Sequence, residues 1–430
     1  MKSGVSIAVI GAGWAGCAAA VAATRAGHRV TVFEASRTAG GRARRLDVAH
    51  DGQTLALDNG QHILIGAYAE TLKLMADVGV DIPASLRRMP LTMQFPDGSG
   101  LRLPNLPAPL DALVGILRAK GWSWVDKLSL LKTATLWQLG KFQCPPHQSV
   151  ADLCKGVSPR VMATLIEPLC VSALNTPAER ASGQVFLRVL RDSLFAVNGG
   201  SNLLLPRADL SALLPDAALD WLVAQGGQAR FGIRIQSITV GDNQQWQLVG
   251  NADADLGPFD RVILACPPAE AARLARSSKL PCADWLALAD GLHYEAIATV
   301  YALALGTQLV QPMLVLPSSP AYPAQFVFDR GQLGGPAGLL AFVISASQQS
   351  SADLTAMVTA QAAAQLHIND LNILQTVVEK RATFACTPGL QRPGQQIGPR
   401  LLACGDYTDG PYPATLEGAV RSGFQVASML

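Results

Sequence analysis

The chain has 430 residues, with 34 Lys and Arg against 32 Asp and Glu, for a formal net charge of +2. That length exceeds one ordinary hydrophobic core, so two domains are expected, and the near-neutral balance without a basic stripe excludes a nucleic-acid partner. Hydrophobic residues at 49% and charged residues at only 15% point to a large core with apolar surface left over for a greasy ligand or a membrane.

In chain order, residues 5–10 (VSIAVI) form a short apolar, β-branched run that reads as a buried parallel strand. Gly11, Gly13 and Gly16 follow at once. Residues 17–26 are alanine-rich and read as a helix, Gly27 is placed to end it, and residues 29–33 read as a second strand closed by Glu34. Gly11 permits the tight turn, Gly13 lets backbone approach a pyrophosphate, and Gly16 lets helix pack on strand. The helix start at Trp14 and Ala15 presents N–H groups to the phosphates. Glu34 accepts from ribose hydroxyls and repels a 2′-phosphate; Ala35 is counted with the same dinucleotide site. Gly40-Gly41 followed by Arg42 allows another close backbone approach with a cation beside it, which selects FAD over NAD.

Lys2 and the apolar run 5–23 imitate an export signal, but the three glycines interrupt it at phosphate-binding spacing, so a cytoplasmic location is expected. No uninterrupted apolar stretch of about 18 residues occurs, so no membrane-spanning helix is expected. The eight cysteines include no CxxC pair and the six histidines are scattered, which reads as a reduced chain with no metal site.

Residues 101–142 mix Trp122, Trp124 and Trp137 with leucines and six basic residues, against only Asp111 and Asp126. This composition fits an interfacial amphipathic stretch, or equally two core helices over a substrate cavity. Residues 210–225 read as one helix ended by Gly226-Gly227, and residues 229–238 as a strand. Residues 292–305, 339–345 and 377–385 read as strands and residues 351–367 as a helix. Residues 401–404 form an apolar strand leading into Gly405-Asp406, whose carboxylate is suited to a ribityl hydroxyl. Pro413 then opens a helix that starts near Thr415 and Leu416 and aims its N-terminus at the flavin pyrimidine.

The fingerprint, the acid and the Gly-Gly-Arg element resemble the FAD-dependent amine oxidase and phytoene desaturase superfamily. The segment Leu57-Asp-Asn-Gly60-Gln61-His62-Ile-Leu64 is similar to the one that runs beside the flavin there. Residues 260–268 resemble the late strand that returns to the FAD domain, and residues 405–423 the closing flavin motif. Residues 58–66, 167–182 and 413–423 resemble most the hydroxysqualene dehydroxylases of hopanoid synthesis. The resemblance runs end to end, with Tyr407 standing where tryptophan is expected. It implies an α/β fold: a Rossmann-like FAD-binding domain of the amine oxidase/phytoene desaturase type at residues 1–80, 200–272 and 395–430. An inserted α+β substrate-binding domain is expected at 81–199 and 273–394. It also implies Gly60, Gln61 and His62 beside the flavin, and Arg234 or Ile235 backbone against the adenine.

The implied reaction removes the allylic hydroxyl of hydroxysqualene to give squalene, with reduced FAD as hydride donor. An allylic C–O bond breaks once its oxygen is protonated, because the cation is delocalised. His62 is the leading proton donor, with Glu417 and Tyr294 behind it and Glu167 weaker still; Cys170 reads as core. His62→Ala is expected to retain FAD and lose most turnover. The implied partners are a C30-class isoprenoid and a peripheral contact with the inner face of the cytoplasmic membrane, with no metal. A carotenoid or phytoene-type desaturase shares the FAD motifs with electrons flowing the other way. A flavin amine oxidase would need a lysine near the flavin and an aromatic cage, which Tyr407 and Tyr412 imitate. A lipid carrier with structural FAD is argued against by the full set of flavin-ring motifs.

Overall fold

Strand β1 (Ser6–Ile10), helix α1 (Trp14–Arg25) and strand β2 (Arg29–Glu34) open the fold as a βαβ unit. The computed structural model describes residues 4–241, 243–251, 255–347 and 349–430; Lys2 lies outside them. Helices α2 (Ala69–Asp77), α3 (Leu110–Arg118), α4 (Trp124–Leu139) and α5 (Glu167–Leu174) follow, then strands β3 (Gln228–Phe231) and β4 (Arg261–Leu264). Helices α6 (Pro268–Ser277) and α7 (Ala283–Asp290) lead to strands β5 (Tyr294–Leu303), β6 (Met313–Val315), β7 (Phe326–Asp329) and β8 (Leu339–Ser345). Helix α8 (Ser351–Leu366), strands β9 (Asn372–Phe384), β10 (Gln396–Gly398) and β11 (Leu401–Ala403), and helix α9 (Leu416–Ala427) complete the chain.

Two sheets organise the molecule. The first has six strands in the order β3-β2-β1-β4-β11-β10, parallel except for the edge pair β10/β11. β1 is apolar at every buried position because both of its faces are covered. Ile7 and Val9 pack with α1 and α9, while Ala8 and Ile10 pack on the other side with Phe33, Val262 and the alanines of α6. Small residues dominate α1 because α9 lies against it: a Cβ on Gly423 would stand 2.4 Å from the Ala15 carbonyl.

The second sheet has five antiparallel strands in the order β6-β7-β8-β5-β9. Period-two alternation again assigns the faces. Val327, Leu340, Phe342 and Ile344 pack against α8, while Phe326, Phe328, Ala341 and Val343 face a cluster containing Cys170 and Leu174 of α5. Pro168 supplies no N–H to helix α5, and the chain ahead of it widens into a π-helical turn over Met162–Ile166.

The α/β class and the βαβ unit expected around the glycine fingerprint are present, with local corrections. The single helix expected over 210–225 is two, Leu210–Leu213 and Pro215–Ala224, broken at Leu214 (φ −150°), because the proline ring drives the preceding residue out of the helical region. The strand expected over 229–238 stops at Phe231; the chain turns at Gly232, and Ser237–Val240 joins a separate three-stranded sheet. The expected domain boundary at 272/273 cuts helix α6. Ala271, Ala272, Leu274 and Ala275 all pack on the six-stranded sheet, as do Trp285 and Ala289 of the unexpected helix α7.

Asp58 ties the two parts of this frame together. It is buried, its Oδ1 accepts from Leu210 N at 2.8 Å, and its carbonyl accepts from the Tyr301 hydroxyl at 3.0 Å. Burial pushes its pKa up from 3.8 to about 6. The native state therefore holds this proton more tightly than the unfolded chain does. The contribution to stability is fully present below about pH 4 and is lost as pH rises to about 6. Asp58→Asn keeps an acceptor for Leu210 N and removes the titration. Chemical denaturation of both proteins is expected to show the variant gaining, relative to the parent, up to about 3 kcal/mol between about pH 4 and pH 7. A pH-independent difference would contradict this account of Asp58.

Candidate active site

A cavity of about 830 Å³ runs between the two sheets, within the usual range for a bound small molecule. Its nucleotide end is built on the first βαβ turn. Gly11 adopts φ +112°, and a Cβ there would stand 2.6 Å from the Ala265 carbonyl. Gly13 is different: its nearest neighbour to a Cβ is Gly40 O at 4.0 Å, so the space before it belongs to the cavity. Gly16 does not line the cavity. A Cβ there would lie 2.0 Å from Gly11 O, so this glycine serves the packing of α1 on the turn.

Gly13 caps α1 without a side-chain bond, and the first helical hydrogen bond runs from Cys17 N to Gly13 O at 2.9 Å. The N–H groups of Trp14 and Ala15, both on the cavity wall, are therefore left for an anion. Glu34 and Ala35 line the same end. The Glu34 carboxylate accepts from Ala12 N at 2.8 Å and Ser36 N at 2.9 Å, which fixes it beside the glycine turn. Ile235 and Arg234 also line this end, from the irregular segment after Gly232 rather than from a strand.

Gly41 and Arg42 reach the wall as well, but Arg42 has a different partner from the phosphate expected of it. It forms an ion pair with Asp406 and donates to Ala382 O at 3.0 Å. Asp406, expected to bond a ribityl hydroxyl, offers Oδ1 to Arg42; both charges are mostly withdrawn from water, where an unpaired charge is costly. The arginine and the carboxylate thus join the Gly-Gly-Arg element to the C-terminal motif across the cavity.

The other end carries Gly60, Gln61, His62, Tyr294, Gly405, Thr415 and Leu416 on its wall. Thr415 caps α9 by accepting from Gly418 N at 2.9 Å, so the α9 N-terminus opens on the cavity. His62 Nδ1 lies 3.0 Å from Gly60 O. A carbonyl can only accept, so Nδ1 carries hydrogen, and in the neutral ring Nε2 is bare. Burial holds the imidazole below its ordinary pKa; the Gly60 carbonyl opposes that shift and the Arg42 charge adds to it. The Tyr294 hydroxyl behaves in the opposite way. Burial raises its pKa, so it keeps its proton, while the guanidiniums of Arg42 and Arg381 favour the phenolate. Arg381 lies 5.8 Å from the ring centroid.

Glu417 is corrected as a proton donor. It is 1% exposed and absent from the cavity wall. Its carboxylate caps the start of α2, accepting from Thr71 N at 2.9 Å, Thr71 Oγ1 at 2.7 Å and Glu70 N at 3.1 Å, and it pairs with Arg421 at 2.7 Å. Glu167 is likewise off the wall, accepting from Ala178 N at 3.1 Å. Cys170 is buried with its thiol on Thr176 O, as read from the sequence.

FAD fits this wall on the chain's own features: the cradle at Gly13, the uncapped start of α1, and two buried polar atoms facing nothing. Gln61 Oε1 and the Tyr407 hydroxyl have no hydrogen-bond partner among the described residues, and both residues line the cavity. Sequence reading missed several wall residues. Glu379, Arg381 and Thr383 reach the cavity from alternate positions of β9, a polar period-two pattern that was available. Asn175 lines it from the end of α5 and carried no such signal.

The chain matches the family described as flavin containing amine oxidoreductase over residues 14–430. It is 31% identical to a hydroxysqualene dehydroxylase of Rhodopseudomonas palustris, covering 99% of this chain and 98% of that one. It is 27% identical to one of Zymomonas mobilis, covering 98% of each. Among solved structures it is similar to an oxidoreductase from Methanosarcina mazei, with a TM-score of 0.73 at 18% identity over 98% of this chain and 100% of that one. It is also similar to cyclohexylamine oxidase from Brevibacterium oxydans, with a TM-score of 0.70 at 15% identity over 99% of this chain and 98% of that one. At these identities the structural likenesses establish the fold.

Proposed function

The chain belongs to the flavin containing amine oxidoreductase family and is an FAD-dependent oxidoreductase; within that family we propose that it reductively removes the allylic hydroxyl of hydroxysqualene to give squalene. The observation that carries this reading is the end-to-end likeness to two hydroxysqualene dehydroxylases, together with a cavity end walled by Phe326, Phe328, Val343, Ile297 and Leu174. That wall suits an isoprenoid chain. An amine substrate is less well served. No lysine lines the cavity among the described residues, and Tyr412 is turned away from it, donating to Asp192 at 2.8 Å.

FAD, when bound and reduced, supplies the hydride and its electron pair to the allylic carbon. In the overall balance the C–O bond breaks, the oxygen leaves as water with one added proton, and a C–H bond replaces it. The protein's part is to hold the chain, exclude water and deliver that proton. We assign the delivery to the Tyr294 hydroxyl rather than to His62, whose outward nitrogen is bare at neutral pH. Arg42 and Arg381 then face the phenolate that remains. We assign the glycine turn, Glu34, Arg42 with Asp406, Gly60–His62 and the start of α9 to FAD. The FAD-binding part comprises residues 1–80, about 200–291 and 395–430, the middle piece being extended to include α6 and α7. The rest forms the substrate-binding part. Incubating the purified protein anaerobically with a chemical reductant and hydroxysqualene tests the reading: squalene should accumulate. Bleaching of oxidised FAD by phytoene, with no squalene formed, would assign a desaturase instead.

The substrate's insolubility gives meaning to residues 101–142, none of which lines the cavity. Leu106, Leu110, Leu113 and Leu117 recur at helical spacing on and before α3, and Val125, Leu128, Leu136 and Leu139 recur likewise on α4; all are exposed, as is Trp124. Lys127 lies over the Trp124 ring at 5.1 Å. We propose that this stripe, flanked by six basic residues, rests on the anionic inner face of the cytoplasmic membrane. No helix among the described residues is long and apolar enough to cross a membrane. In flotation with phosphatidylglycerol vesicles, the triple variant Trp124→Glu, Leu128→Glu, Leu139→Glu is expected to lose roughly 10-fold or more of the parent's bound fraction. Equal flotation of the two proteins would remove the stripe from membrane contact.

A further inference from the structure

We propose that the side-chain amide of Asn175 recognises the hydroxyl oxygen of the substrate, so that the site separates the oxygenated substrate from its hydrocarbon product. This rests on the dehydroxylase reading above. Asn175 is 7% exposed and lines the cavity, yet neither Oδ1 nor Nδ2 has a hydrogen-bond partner among the described residues. A buried amide with no partner opposes folding, so a ligand that satisfies it gains correspondingly.

The backbone alone does not account for this residue. Asn175 ends α5 in the left-handed conformation at φ 45°, its own N–H bonded to Val171 O at 2.9 Å. Glycine serves that turn at least as well and buries no amide. The cavity wall includes an apolar stretch: Leu174 and Val171 on the same helix, and Phe326, Phe328 and Val343 of β7 and β8. An unpartnered amide beside an apolar stretch of wall is an arrangement that orients a long hydrocarbon carrying one polar group.

The fold also brings Asn175 to the Tyr294 side of the cavity. The next residue, Thr176, accepts at Oγ1 from Cys386 N at 3.1 Å. Cys386 lies two residues beyond Phe384, the register partner of Tyr294. A second tie joins Arg180 to Glu295 at 2.9 Å. Asn175 Nδ2 therefore donates to the hydroxyl that Tyr294 protonates. Once the C–O bond is broken and water has left, the amide is again without a partner, and squalene is held only by its apolar contacts. A site built to bond a hydroxyl rejects the analogue that lacks it.

The test uses the FAD-loaded protein and follows binding of hydroxysqualene and of squalene by their perturbation of the flavin absorbance. The parent is expected to bind hydroxysqualene roughly 10- to 100-fold more tightly than squalene. In Asn175→Gly, which suits the left-handed turn, that ratio should fall to near one through weaker hydroxysqualene binding, with squalene affinity and FAD content unchanged and a melting temperature no lower than the parent's. Asn175→Asp keeps the shape and the turn but loses the N–H donor, and should show the same loss. A ratio preserved in both variants, or an equal loss for both ligands or of FAD, overturns the role of Asn175 while leaving the dehydroxylase reading in place. A parent protein that binds neither C30 compound overturns that reading and this assignment together.

Discussion

A Gly13→Val protein is expected to fold normally and to purify almost free of FAD. The backbone at Gly13 has φ −77° and ψ 177°, which any residue adopts, and a Cβ there meets nothing closer than 4.0 Å. The fold therefore has no objection to the Cβ. The cavity does: the added methyl groups stand where the pyrophosphate must meet the N–H groups at the start of α1. The expected loss of FAD affinity is about 100-fold or more, roughly 3 kcal/mol. Gly16→Val is the contrasting case, because its Cβ would lie 2.0 Å from Gly11 O and damage the turn itself. The check is flavin absorbance per protein alongside thermal melting of the apoproteins. A Gly13→Val protein that holds a full complement of FAD would place the nucleotide elsewhere.

The second large effect is expected at Tyr294. Tyr294→Phe removes one oxygen from the cavity wall, retains FAD, and should lower turnover of hydroxysqualene roughly 100- to 10,000-fold. His62→Ala should retain FAD and lose much less, which revises the expectation drawn from the sequence. The two roles also differ in pH dependence. A donor imidazolium at His62, with its pKa held below the ordinary value, would lose activity as pH rises toward neutrality; the Tyr294 phenol, with its pKa raised, stays protonated through it. Steady-state rates of both variants across this range decide. A Tyr294→Phe enzyme with full activity, or a parent whose activity falls as pH rises toward neutrality with His62→Ala inactive, would return the role to His62.

What was legible in the sequence is the part whose information is local. The strand, glycine turn, helix and acid of residues 6–34 lie in consecutive residues, and their spacing is the backbone geometry. The family likeness carried the closing motif at 405–423 in the same way. Glu417 shows where this ends. It stands in that motif one residue past Leu416, which lines the cavity, yet its carboxylate turns to the start of α2, 346 residues away in sequence at Thr71. Nothing in the spacing of the last helix records that neighbour. Asn175 was missed for the same reason: an unpaired amide is a property of what surrounds it, and the cavity it lines is also walled by β7 and β8, far off in sequence. The break at Leu214 was, by contrast, written in Pro215 and overlooked, because alanines and leucines on either side made the helical pattern look continuous. The alanine-rich residues 271–275 pack on the first sheet, and no composition shift on either side of them records it.

The most direct measurement of the central claim is a single turnover. Enzyme whose FAD has been reduced stoichiometrically is mixed anaerobically with hydroxysqualene while the flavin absorbance and the extracted products are followed. One squalene formed for each flavin reoxidised is the predicted result. Unchanged, still-reduced flavin with hydroxysqualene recovered intact would contradict the account.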